Sequence, residues 1–137
     1  MKLIKFHWQL DVYKMAVEAA MEIFKHSKEF PREERYSLTD QVRRSSRSVS
    51  VQVAEAWRRR KYEAVFVNKL NESEGEAAET QGWLEYAVKC GYLDRAAGRK
   101  LHRAYDHVMG KLVTMGNSLE IWVLKKKRTL PTYPLTR

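Results

Sequence analysis

Positions that want to be buried recur along this chain in alternating steps of three and four. Val12, Ala16, Ala19, Ile23, His26 and Phe30 form a first run. Leu38, Val42, Ser45, Val49, Val53 and Ala56 form a second, and Phe66, Leu70, Ser73, Ala77, Thr80, Leu84 and Ala87 a third. Leu101, Tyr105, Val108, Leu112, Met115, Leu119 and Trp122 form the fourth. Each run is a heptad-like seam on one face of a helix, and strand-type alternation is nowhere sustained. Four amphipathic helices are therefore expected.

Local signals punctuate the runs. Ser37 and Asp40 form an S-x-x-D capping pair before the second helix, Gly91 stops the third, and Asp94 can cap the fourth. The linkers "PREERY", "RRRKYE" and "GYL" are short. Short linkers make consecutive helices antiparallel. The expected fold class is all-α, an antiparallel up-down-up-down four-helix bundle over residues 1–124. Residues 125–137 contain "TLPTYPLTR", whose two prolines end any helix. A flexible basic tail is expected there.

Charge changes this picture. The net charge of the 137 residues is +9, and it is clustered. Gln41 to Lys61 holds seven basic residues and one acid, Glu55; Leu124 to Arg137 holds five basic residues and no acid. Clustering of this kind suits a polyanionic partner, and solubility is the plainer reading. The single cysteine, Cys90, excludes an internal disulfide, and its apolar surroundings predict a buried, inert thiol. The N-terminus is too short and polar for a signal peptide, and no apolar stretch is long enough to span a membrane, so a cytoplasmic protein is expected.

At 100° per residue, Arg43, Arg44, Arg47 and Arg58 fall opposite the second seam, in one arc with Val51 and Ala54. An outward face mixing arginine with small apolar residues suits a subunit seam or a phosphate-contacting surface. On the third helix Glu72, Glu76, Glu79 and Trp83 share a flanking stripe. Two uses of these carboxylates stay open: pairs within the chain, and pairs with arginines of another subunit. Arg43, Arg47, Val51, Ala54, Glu72, Glu76, Glu79 and Trp83 are the candidate oligomer interface. Arg44, Arg58, Arg59, Arg60, Lys61, Lys125, Lys126, Lys127 and Arg128 are the candidate nucleic-acid contacts.

The stretch "KEFPREERYSLTDQVRRSSRSVSVQVAEA" resembles a family motif of the form F-P-x-E-E-R-Y-x-L-T-x-Q-I-R-R-A-A-x-S-I-P-x-N-I-A-E-G. Phe30, Pro31, Glu33, Glu34, Arg35, Tyr36, Leu38, Thr39, Gln41, Arg43, Arg44, Ser48, Ala54 and Glu55 match it. "LDVYKMA" and "NESEGEAAETQGWLEYAVKCGYL" resemble the same family's first and third helices. The family is that of the bacterial four-helix-bundle proteins found as reading frames in 23S rRNA intervening sequences, also filed as S23 ribosomal proteins. The resemblance implies an antiparallel bundle, assembly as a homopentamer, and kinship with the accessory variability determinants of diversity-generating retroelements, which bind a reverse transcriptase and nucleic acid. For most members of that family no activity is established. Ser50, Gln52 and Ala56 depart from the motif's Pro, Asn and Gly, so an unkinked second helix is expected.

The usual chemistries of helical bundles find little footing. No histidine has Glu three residues before it, as di-iron bundles require, and Gly-rich phosphate loops are absent. No cofactor or metal is expected. Arg95 and His102 match the R-x(4–6)-H spacing of HEPN ribonucleases, but Ala96 stands where that motif has a polar residue. The expected function is a non-catalytic, homo-oligomeric nucleic-acid-binding or scaffold protein, with RNA the favoured partner. A pure protein-interaction module whose charges serve only assembly is the alternative, and a HEPN-like ribonuclease a minor one.

Overall fold

The computed structural model describes residues 3–124. Four long helices, α1 (Asp11–Ser27), α2 (Leu38–Arg58), α3 (Glu63–Lys89) and α4 (Arg95–Gly116), are followed by one short turn of helix, α5 (Leu119–Trp122). Single 3-10 turns at His7–Gln9 and Arg32–Glu34 precede α1 and α2. Each long helix packs on its chain neighbours, and α1 closes the ring against α4; the α2–α3 seam is the most extensive. The fold is the expected antiparallel four-helix bundle. The expected tail, residues 125–137, lies outside the described residues.

The four seams form the core, centred on Val42, Val49, Val53, Phe66, Leu70, Tyr105, Val108 and Leu112, all buried. Small hydroxyl residues draw α2 and α3 together. Thr80 donates to the Glu76 carbonyl at 2.8 Å, so Ser45 is the donor in its 2.8 Å bond to Thr80 Oγ1. Ser73 donates to the Val49 carbonyl at 2.7 Å, across the same seam. Ala77 beside them is fully buried. Side chains this small let two backbones approach, and the hydroxyls of Ser45, Ser73 and Thr80 are each hydrogen-bonded.

At several points the chain departs from its sequence pattern. The fourth run does not continue as one helix to Trp122: α4 ends at Gly116, and Leu119 and Trp122 pack back from α5. The first helix ends at Ser27, and Phe30 instead packs beyond it against Tyr92, with ring centroids 5.9 Å apart. The Ser37–Asp40 capping pair is not made. Glu34, supplied by the preceding turn, takes its place: it accepts from Ser37 Oγ at 2.6 Å and from the Leu38 amide at 3.3 Å. Its other oxygen accepts from the Tyr92 hydroxyl at 2.9 Å, tying the start of α2 to the α3–α4 corner. Cys90 is exposed rather than buried. It caps α3 one turn beyond the last seam residue, Ala87, just before Gly91 reverses the chain at φ 79°.

Asp94 caps α4 as expected, accepting from the Ala97 amide at 2.8 Å. Helix α2 is uninterrupted through Ser50, whose hydroxyl donates to the Arg47 carbonyl at 3.0 Å. Proline at that position would lack an N–H and crowd the preceding turn.

Candidate functional site

The arginines of α2 leave the core, as the helical arc requires, and then divide. Arg43 and Arg47 lean toward α1. The Arg43 Nε donates to Ser27 Oγ at 2.8 Å, and both guanidiniums lie over the Phe24 ring, at 4.9 and 5.6 Å. Arg44 leans the other way, onto α3. It donates to Glu79 Oε2 at 2.6 Å and lies 3.6 Å from Glu76 Oε1. The Glu79 bond holds the Arg44 guanidinium's pKa above its usual value. Glu79 also accepts from Trp83 Nε1 at 3.0 Å. Glu72 pairs with Lys69 at 3.3 Å and accepts from Asn68 at 3.1 Å, while Lys69 reaches back to Glu55 at 3.5 Å. Of the two uses open for these carboxylates, the structure displays the intrachain one.

Between those lines lies the apolar part of the same face. Val51 is 54% exposed, and Ala54 beside it is half-buried. The candidate interface residues thus share one side of the molecule. Arg43, Arg44, Glu76 and Glu79, however, already have partners there.

The second basic feature is the bundle end where α2 stops. Arg58, Arg59 and Lys61 are exposed. Arg60 is different: its Nε donates to the Trp57 carbonyl at 2.8 Å, and its guanidinium stacks 3.5 Å from the Trp57 ring centre. Partial burial lowers its pKa. Trp57 is itself fixed, donating through Nε1 to the Lys5 carbonyl at 3.0 Å and meeting Trp122 edge-on at 5.9 Å. The Leu124 amide donates to the Arg60 carbonyl at 3.1 Å. The chain therefore leaves its described part beside Arg58–Lys61, and the next residues in sequence are Lys125, Lys126, Lys127 and Arg128. Those four candidate contacts lie outside the described residues.

A third basic feature escaped the sequence reading. Helix α4 carries Arg95, Arg99, Lys100, Arg103 and Lys111 against one acid, Asp106. In the chain's net charge this excess is cancelled by α3, with six acids and two bases, so it does not register as a cluster. The signal that finds it is spacing: Arg95, Arg99 and Arg103 recur every four residues and share a helix face. With His102 they line an α3–α4 cleft of about 530 Å³. His102 Nε2 lies 3.2 Å from Glu85 and its Nδ1 3.9 Å from Asp106. The Arg95–His102 spacing does bring both residues to one cleft, with the imidazole between two carboxylates.

Among the described residues, no group of three or more His, Cys, Asp and Glu is placed to hold a metal ion. Nor is any described helix long and apolar enough to cross a membrane. A close-packed core inside a densely charged exterior defines a small helical-bundle protein with its distinguishing features on the outer faces. More narrowly, the chain belongs to the 23S rRNA-intervening sequence protein family, whose model matches residues 8–114. Its fold is similar to the crystal structure of a Bacteroides thetaiotaomicron protein from the S23 ribosomal protein family, itself described as of unknown function. That similarity has a TM-score of 0.70 at 26% identity and covers 78% of this chain and 99% of the other. No curated protein matches the sequence.

Proposed function

We propose that the protein binds nucleic-acid backbone, RNA foremost, without sequence preference, and does so as a homo-oligomer. The observation that carries this reading is the 3.1 Å bond from the Leu124 amide to the Arg60 carbonyl. It ends the described chain, at Leu124, beside exposed Arg58, Arg59 and Lys61, and Lys125–Arg128 follow next in sequence. Cations gathered at one corner, with Arg60 held rigid on Trp57, suit a phosphate chain better than they suit solvent. Arg44 contributes less to such a surface, because Glu79 and Glu76 already neutralise it. Assembly through the outer faces of α2 and α3 would bury Val51 and repeat the basic corner once per subunit, and weak contacts then add as avidity.

The test is fluorescence anisotropy of a labelled RNA against the full chain across a salt series. Replacing Arg58, Arg59 and Lys61 together by Gln weakens binding to all sequences alike and flattens the salt dependence. Arg60 is left unchanged, since its loss would also disturb Trp57. Undiminished RNA binding by that variant removes the corner from the reading.

The alternative, an assembly module without nucleic acid, draws on the exposure of Val51 at the centre of the outer α2 face. It predicts stable oligomers and no RNA binding at 50 mM salt, the low end of roughly 50–200 mM where phosphate contacts are most evident.

A further inference from the structure

We propose that α4 is a phosphate ladder: Arg95, Arg99 and Arg103 hold successive phosphates of a single nucleic-acid strand lying along the α3–α4 cleft. This rests on the nucleic-acid reading above and assigns it a surface apart from the basic corner.

Three observations carry it. The first is spacing. Four residues advance a helix by about 6 Å, so the ladder spans about 12 Å with one guanidinium per step. That repeat is on the order of the distance between neighbouring phosphates in an extended strand, and Arg recognises phosphate through a planar fork of donors.

The second is availability. Arg95, Arg99 and Arg103 are exposed, and among the described residues none makes a side-chain hydrogen bond or ion pair. Arg44 and Arg60, by contrast, are both engaged within the chain. A helix carrying three unengaged guanidiniums in register lowers its own repulsion when an anion chain lies across them.

The third is the opposite wall, which decides between one strand and two. Helix α3 supplies Lys89 near the start of the ladder, but it is acidic as a whole, and Glu85 closes the far end with His102 and Asp106. A duplex brings a second row of phosphates across its groove and would set that row against α3. A single strand needs only the α4 side. Among the described residues no Phe, Tyr or Trp lines the cleft, and its imidazole, His102, sits between Glu85 and Asp106, so the contact reads backbone rather than sequence.

The test uses the full chain, a labelled 20-nucleotide oligo(U), and an RNA hairpin of equal length, titrated between 50 and 200 mM salt. Arg95→Gln, Arg99→Gln and Arg103→Gln are combined in one variant; a second replaces the same three by Lys. The Gln variant is expected to lose about 2 from the slope of log affinity against log salt, at about 0.7 per lost contact on a single strand. The Lys variant, which retains the charges, keeps the slope. If the Lys variant loses as much of the slope as the Gln variant, charge at these three positions does not carry the binding and the ladder is overturned. A Gln variant with the wild-type slope also overturns it, while loss of binding in the Arg58, Arg59 and Lys61 variant leaves the general reading standing on the corner alone. Preference for the hairpin over oligo(U) overturns the single-strand assignment. Displacement of oligo(U) by equimolar poly-glutamate would assign the ladder to an acidic protein instead. No binding of either RNA by the wild-type chain removes the ladder and the broader reading together.

Discussion

Glu34 does more than its place in a loop suggests. Its carboxylate accepts from Ser37, Tyr92 and the Leu38 amide, joining the start of α2 to the corner after α3. Those bonds, Ser37 foremost and Tyr92 next, lower its pKa from the ordinary 4.5. In turn the bond to Glu34 raises the Tyr92 phenol to about 12. A carboxyl whose folded pKa is depressed stabilises the fold above its unfolded pKa, and that contribution is lost as pH falls through the folded value. Acid titration of the denaturant midpoint below pH 4.5 should therefore fall more steeply for wild type than for Glu34→Gln. Parallel curves would show that the carboxylate's charge does not hold the corner. This residue was visible in the sequence only as part of a motif. Its partner Tyr92 lies 58 positions away, and the local S-x-x-D pattern pointed to Asp40 instead. A capping rule weighs neighbours in the chain; here a neighbour in space won.

At the scale of the helix, the seams were legible almost to the residue, because a period of three and four leaves a single face for burial. The end of α4 was not: Leu119 and Trp122 keep the period across the break after Gly116, so periodicity alone joins two elements. The α4 ladder was hidden for another reason. Charge counted along the chain sums α3 with α4, whereas charge on a surface depends on which face each residue occupies. Packing separates the glycines of α4 in the same way. A Cβ on Gly98 would strike Val88 Cγ2, at the stiff end of a β-branched side chain, while Gly110 has open space around it. Gly98→Ala should cost about 1–3 kcal/mol despite its better helix propensity. Gly110→Ala should gain about 0.5–1 kcal/mol. Chemical denaturation of the two variants checks both signs, and a gain at Gly98 would show that α3 and α4 shift apart readily.

For the whole molecule, the unresolved tension lies on the outer face of α2 and α3, which was expected to be a subunit seam. Arg44 and Glu79 on its flank pair within the chain, yet Val51 remains 54% exposed at its centre. If that face is the seam, Val51→Glu places a charge where a partner must desolvate it and lowers the assembly state. Sedimentation should then show an oligomer for wild type and smaller species for the variant; a wild-type monomer of 16.2 kDa at micromolar concentration would dismiss the seam. What such an assembly is for turns on the cations. The most direct measurement is the affinity of the full chain for a labelled oligo(U) across the 50–200 mM salt range. A backbone-binding protein using about four or more phosphates loses roughly tenfold or more in affinity over that range. Absence of binding at 50 mM, or an affinity that does not change with salt, would contradict a nucleic-acid role for these basic surfaces.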